Sequence, residues 1–322
     1  MKKIIIITHR EDLDGIGSAA ILKRYYDQSG EYFFFFYYSL YSEFMKLISK
    51  AIVKDFDLLY ITDIGFNESY LPFFRGTVDF HKKNNYESIR LKFKKIYWID
   101  HHLINNENRR FMESILGGFI HNAKNDCASK LLYKYLKEKY GWIDSISEQI
   151  SNFANAVDHN ISLEISDMLQ RVINANQTNL RNLYKIMLYL SEGDFENDWI
   201  INQNKERLKV ENIEIKRVLK NLINFEINGL KILIGISEIF TTGSLIKYLF
   251  NNLDADIYLT INGDQVSIRS HSINVRNIAT EFGGGGHKFR AGFVYKDIIK
   301  DNKISKKFIE EFKNIISIKT KK

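Results

Sequence analysis

The sequence holds one cysteine, Cys127, and one proline, Pro72, in 322 residues. A lone cysteine excludes an intramolecular disulfide or a cysteine-based zinc cluster and fits a reducing compartment, so the cytoplasm is the expected location. With so little proline, nothing interrupts the long helical patterns. Long hydrophobic runs are missing too. The Phe33–Phe36 run falls far short of the roughly 20 apolar residues that span a bilayer. Met1-Lys2-Lys3 with Ile4–Ile7 imitates the start of a signal peptide but breaks at His9-Arg10-Glu11-Asp12. No membrane association is expected. Acidic charge is in deficit, with 46 Lys and Arg against 39 Asp and Glu and a net charge of +7, which favours polyanions such as nucleic acid over basic partners. The basic end Lys319-Thr320-Lys321-Lys322 reads as a solvated terminus. Glycine is modest at 18, so four in succession, Gly283–Gly286, stand out.

What is present suffices for packed cores: 45% of residues are hydrophobic and 14% aromatic. The length exceeds the roughly 250–300 residues that one core organises, so two domains are expected. The pattern is α/β. Lys3–Thr8 reads as a buried strand, Ile16–Tyr26 as a helix, and Tyr32–Tyr38, Leu58–Thr62 and Ile96–Ile99 as further strands. Helical patterns between strands imply crossovers and a parallel sheet. From Asn125 to Leu222 the pattern is helical. A second α/β pattern begins at Leu230-Lys231-Ile232-Leu233-Ile234 and closes with a helix over Lys306–Ile316. We therefore expect a domain over 1–165, a helical linker over 166–226 and a smaller α/β domain over 227–322.

The chemistry lies at the strand ends. Ile4–Ile7 leads to His9, Asp12 and Asp14; Leu58–Ile61 leads to Asp63; Ile96–Ile99 leads to Asp100, His101 and His102. In a parallel sheet these ends can converge on one carboxyl edge. Asp158 ends a helix whose preceding Phe153-Ala154-Asn155-Ala156-Val157 is mostly small and apolar. Carboxylates gathered at a buried edge repel one another and lose hydration unless cations neutralise them. Imidazole and carboxylate together suit divalent transition ions, and a two-metal site, with ions about 3.5–4 Å apart, serves phosphoryl displacement.

The ordered series His9-Arg10-Glu11-Asp12-Leu13-Asp14-Gly15, Asp63, Asp100-His101-His102 and Asp158 resembles that of the DHH phosphoesterase superfamily. Gly283-Gly284-Gly285-Gly286-His287 with Ala291-Gly292 resembles the signature of its DHH-associated C-terminal domain. The resemblance implies a metal site at the strand carboxyl edge with two Mn2+ ions, Mg2+ or Co2+ being substitutes. It further implies that His9 and Asp12 bind one ion, that Asp14, His101 and Asp158 bind the other, and that Asp63 bridges them. Asp12 is preferred over the neighbouring Glu11. The same resemblance makes Asp100 an acceptor that orients His101 and turns His102 toward the scissile phosphate. The C-terminal domain is implied to hold the nucleotide across a cleft from the metals.

Beyond the motif series, Asp126 is expected to cap the helix that follows it, and His81, His121, His159 and His271 read as surface or hydrogen-bonded histidines. The glycine run suggests backbone amides offered to an anion, and Arg269 suits a phosphate because its guanidinium matches one bidentately. Lys288 and Arg290 read equally as phosphate contacts or as a solvated strand face.

The expected function is a metal-dependent phosphodiesterase or exonuclease releasing mononucleotides from single-stranded DNA, RNA or short oligonucleotides. One alternative is hydrolysis of a cyclic dinucleotide or of 3′-phosphoadenosine 5′-phosphate. Another is a catalytically silent replication or repair scaffold, which ranks low because no ligand of the series is lost. A homodimer and a replication or repair partner remain open.

Overall fold

A computed structural model describes residues 3–27, 32–38, 57–66, 95–122, 126–159, 161–300 and 303–320. Pro72, His81 and the Lys321-Lys322 end fall outside them. The chain forms two compact units, Met1–Arg207 and Leu208–Lys322.

The first unit runs β1 (Lys3–His9), α1 (Leu13–Asp27), β2 (Tyr32–Tyr38), β3 (Leu58–Thr62), β4 (Lys95–Asp100), α2 (Asn106–Ile115), β5 (Gly118–His121), α3 (Ala128–Tyr140), α4 (Ser145–Asp158), α5 (Glu164–Ala175) and α6 (Leu180–Glu192). Its sheet has the order β2-β1-β3-β4-β5, and every neighbouring pair is parallel. Ile4 to Ile7 are fully buried, as a strand covered on both faces requires. Helix α1 explains why so many small residues follow β1. Gly17, Ser18, Ala19 and Ala20 let it sit close to its neighbours, and a Cβ on Gly17 would meet Ile150 at 3.0 Å and Ser129 at 3.1 Å. Leu13 to Leu22 are all buried, as befits a helix segment surrounded by the interior. Helices α5 and α6 join the same core through Leu169, Val172, Ile173, Leu183, Ile186 and Leu190. Arg24 of α1 ties three helices together, pairing with Asp144 ahead of α4 and donating to the Ser191 carbonyl in α6.

Helix α7 (Asp198–Lys220) runs from the first unit into the second. The second unit continues with β6 (Ile223–Ile227), β7 (Leu230–Ile236), α8 (Thr242–Asn252), β8 (Ile257–Asn262), β9 (Gln265–Ser270), α9 (Val275–Glu281), β10 (Gly285–His287), β11 (Arg290–Val294), β12 (Ile299–Lys300), β13 (Lys303–Ile304) and α10 (Lys306–Lys319). Its main sheet has the order β10-β11-β9-β8-β7-β6, and only β7 and β8 pair in parallel among these neighbours. Strand alternation sends Ile232 and Ile234 to the face covered by α9 and α10, and Leu233 to the face covered by α8.

Five strands, β5, β6, β10, β12 and β13, escaped the sequence reading. β6 precedes Leu230, joined to it by Asn228-Gly229 with φ of 52° and 75°; the Asn-Gly pair, a strong hairpin signal, was present in the sequence. β5 is short and only partly buried, which leaves little apolar pattern to detect.

Candidate metal centre

β1 and β3 are neighbours in the sheet, while β2 lies on the other side of β1. The chain thus reverses its direction of winding at β1, and such a switch point opens a crevice at the strand carboxyl ends. Three successive strands in space, β1, β3 and β4, end here in His9, Asp63 and Asp100. Thr8 ties β1 to its neighbours, its single hydroxyl proton shared between the Gly15 carbonyl at 2.9 Å and the Thr62 carbonyl at 3.1 Å. The Asp63 amide donates to the Ile99 carbonyl at 3.0 Å. The fully buried Trp98 donates its indole N–H to the Ile64 carbonyl at 2.9 Å. Asp63 itself adopts φ 54°, a left-handed conformation that costs a side-chain-bearing residue energy and that clusters at functional positions.

The expected residues meet here. His9 Nδ1 is 3.2 Å from Asp12 Oδ2 and 3.9 Å from Asp63 Oδ2. His101 Nε2 is 3.4 Å from Asp63 Oδ1 and 3.8 Å from Asp14 Oδ2, while its Nδ1 is 3.7 Å from Asp158 Oδ2. Ligand atoms of His9, Asp12 and Asp63 lie within 4.8 Å of one another, as do those of Asp63, His101 and His102. Asp63 therefore belongs to both groups. His102 also approaches the second group, although the sequence reading had turned it toward the phosphate. Glu11 is half exposed and reaches His9 Nε2 at 3.2 Å.

The electrostatics suit a centre that would hold cations. Burial and the nearby charges of Asp14, Asp12 and Asp100 push the Asp63 carboxyl well above its ordinary range. Burial and the charge of Asp12 raise Asp14 as well, against the pull of the Ser129 amide. Burial opposes a charge on His9, yet hydrogen bonds with Asp12 and Glu11 raise it to about 10. Burial likewise opposes ionisation of Asp12, and His9 outweighs it, holding that carboxyl at about 2. The buried Asp63 Oδ2 has no hydrogen-bond partner. A buried carboxylate oxygen without a donor is costly, and a cation between the two groups would satisfy it. The residues thus fit divalent ions.

Two expectations are corrected. Asp100 does not face His101; its Oδ1 accepts from His102 Nδ1 at 2.7 Å, and its Oδ2 accepts from the His102 amide at 3.2 Å. The short two-residue separation lets one carboxylate close a ring with the side chain and backbone of the same residue. Asp126 does not cap α3 but pairs with Lys134 at 2.6 Å. Asp14 does the capping, accepting from the Ala128 and Ser129 amides at 2.7 Å and 2.6 Å. A carboxylate that both caps α3 and lies beside His101 joins helix formation to the centre.

Outside the motif series, His121 donates from Nε2 to the His102 carbonyl at 2.5 Å and stacks on Phe119. His159 donates to the Asn155 carbonyl at 2.9 Å and lies 3.7 Å from Asp158. Gln170 was missed. The signal for it was the set of amide side chains Gln170, Asn174 and Gln177, spaced to share one side of a helical segment.

In the second unit, Arg269 on β9 lies opposite Arg290 on β11. Burial and the Arg290 charge lower Arg269 to about 10, and its buried Nε has no partner. The glycine run is divided. Gly283 (φ 74°) and Gly284 donate to carbonyls at the end of α9, and Gly285 to His287 form the exposed edge strand β10. A Cβ on Gly284 would stand 2.2 Å from the Gly292 carbonyl oxygen, and one on Gly286 would stand 2.6 Å from Ala291 Cα. Close strand approach alone therefore demands glycine at these positions.

A carboxylate and imidazole cluster at the switch point of a parallel sheet defines an α/β protein organised around divalent cations. Residues 3–157, just under half of the chain, match the model of the DHH family, N-terminal domain, so this stretch is a DHH domain. Sequence comparison with curated proteins finds no match. Among solved structures, exonuclease RecJ bound to manganese is 14% identical with a TM-score of 0.59, covering 98% of this chain and 89% of its own. A pGpG-specific phosphodiesterase from Vibrio is 13% identical with a TM-score of 0.53, covering 99% and 98%. An exopolyphosphatase-related protein from Bacteroides fragilis is 15% identical with a TM-score of 0.52, covering 98% and 93%. These likenesses establish the fold. Among the described residues no helix is long and apolar enough to cross a membrane.

Proposed function

We propose that the protein is a metal-dependent phosphodiesterase that releases mononucleotides from the ends of single-stranded DNA, RNA or short oligonucleotides. The observation that carries this reading is Asp63: a buried carboxylate with one orphaned oxygen, shared by two groups of ligand atoms. His9 and Asp12 would hold one ion, His101, Asp14 and Asp158 the other, and Asp63 both. Mn2+ is the preferred metal because imidazole and carboxylate together suit it better than calcium. Ions bound in such a pair supply Lewis-acid charge and an activated water for displacement at phosphorus.

The chain's own groups do the rest. His102, fixed by Asp100 and raised above its ordinary value mainly by that hydrogen bond, keeps Nε2 available to donate a proton toward the leaving oxygen. Arg269 offers a guanidinium with an unused donor for a substrate phosphate, and the edge of Gly285 to His287 adds backbone and imidazole donors. The net charge of +7 favours approach of a polyanion. The catalytic role of the first unit and the DHH-associated assignment for the second are part of this proposal.

A second reading, hydrolysis of a small dinucleotide, gains support from the likeness to a pGpG-specific phosphodiesterase. The test is incubation with Mn2+ and end-labelled single-stranded oligonucleotides of two to twenty-four bases, with products weighed by mass spectrometry. Mononucleotide release from the longer strands supports the first reading. Cleavage confined to the dinucleotide selects the second, and no cleavage of any length rejects both.

A further inference from the structure

The turn that carries Asp12 is held by a helix far away in sequence. Gln170 of α5 accepts from the Leu13 amide through Oε1 at 2.8 Å and donates from Nε2 to the Glu11 carbonyl at 3.1 Å. One carboxamide thus grips the peptide groups on both sides of Asp12. Gln177 donates to the same Glu11 carbonyl at 3.2 Å. Asn174 Oδ1 accepts from Gln170 at 2.9 Å and from Gln177 at 3.3 Å, fixing which end of the Gln170 amide faces which partner.

The first turn of α1 shows why the grip matters. A helix begins with four amides that lack intrahelical partners. Here the Asp14 and Gly15 amides are taken by Asp12 Oδ1, and the Ile16 amide makes the first intrahelical bond, to the Asp12 carbonyl. The Leu13 amide falls to Gln170. Asp12 Oδ1 is therefore committed to the helix start, and Oδ2 is the oxygen that faces His9. Any swing of the Glu11–Leu13 backbone would carry Oδ2 away from His9 and Asp63.

We propose that Gln170 is a positioning residue that sets Asp12 for metal binding; this rests on the reading of His9 and Asp12 as ligands of one ion. No other side chain of this length does both tasks, since Glu accepts without donating at neutral pH and Met does neither. Partners of this kind, which hold ligands without touching the metal, are typically worth about 10- to 100-fold in metal affinity.

The test uses the full-length, metal-stripped protein, titrated with Mn2+ by calorimetry, alongside the thermal midpoint of each metal-free variant. In Gln170→Met one of two ions should bind at least about 10-fold more weakly, the other should stay within about twofold, and the metal-free midpoint should fall only by the modest amount that one unpaired Leu13 amide costs. Gln170→Glu, which keeps the acceptor for Leu13 and loses the donor to Glu11, should weaken the same ion by less and serves if the Met variant fails to fold. Wild-type affinity in the soluble variant overturns the inference. So does equal weakening of both ions together with a large fall in midpoint, which marks a general packing role. A wild-type protein that takes up no Mn2+ rejects the functional reading itself, and this inference with it.

Discussion

Asp100 Oδ1 lies 2.7 Å from His102 Nδ1, and Asp100 is almost completely buried whereas His102 is half exposed. The buried carboxylate sets the tautomer and direction of an imidazole that faces outward, a division of labour in which the partner orients and the ring acts.

That pairing separates the two histidines. His101→Ala should lose one of two Mn2+ ions, because His101 approaches Asp14, Asp63 and Asp158. His102→Ala should retain both ions and lose turnover by about 100-fold or more, the range of a proton donor. Asp100→Asn should resemble a milder His102 variant, losing about 10-fold. Metal content by plasma emission and turnover on one substrate check all three. Equal metal loss in the two alanine variants would sink the division.

Asp63 predicts how the metal-free protein responds to charge removal. Its carboxyl is disfavoured as an anion by burial and three neighbouring acids, so Asp63→Asn should unfold at a temperature equal to or above that of metal-free wild type. Asparagine also tolerates the φ of 54° found there. Mn2+ at 100 times its dissociation constant should stabilise wild type by about 2.7 kcal/mol per site, and the variant should lose most of that gain. Calorimetric scans with and without Mn2+ decide the matter; a variant that destabilises the metal-free form yet keeps the full metal response contradicts it.

Gly15 governs the same turn through space alone. A Cβ there would stand 2.0 Å from the His9 carbonyl oxygen, so the backbone at His9 has to move. Gly15→Ala should cost about 1–3 kcal/mol, as overpacking does, and should weaken Mn2+ binding at the His9 side. Urea midpoints and Mn2+ titration measure the two effects. An unchanged affinity would show that His9 is not held by this contact.

Sequence pattern exposed the sheet and the residues that meet at its carboxyl edge because both are written locally. Ile4–Ile7 and Leu58–Ile61 are continuous apolar runs, and each polar end follows at once, so convergence needed only the assumption of a parallel sheet. The Asp100–His102 ring was hidden for a different reason. Whether Asp100 turns to His101 or to His102 depends on the strand-end backbone, which pattern does not encode. Asp14 as the cap of α3 and Gln170 as the clamp on Asp12 join residues 115 and 157 positions apart. Nothing near either residue in sequence points to its partner. The loss of Asp126 as a cap follows from the same fact, since a carboxylate from α1 already occupies that helix start.

The last prediction concerns stability in acid. Asp144 pairs bidentately with Arg24 and accepts from the Ser147 amide at the start of α4, and its side chain is only 11% exposed. Those partners, with the Arg24 hydrogen bond leading, lower its carboxyl from 3.8 to about 2. At roughly 1.4 kcal/mol per unit, the difference is worth about 2 kcal/mol to the folded state. A folded value below the unfolded one means the stabilisation is present in full above about pH 4 and disappears as pH falls toward 2. Asp144→Asn keeps an acceptor for Ser147 and removes the charge. Its denaturant midpoint should therefore lie well below wild type at pH 6, converge on it as the pH falls, and match it near pH 2. A gap that stays constant across that range would mean Asp144 stabilises by shape alone and that its charge contributes nothing.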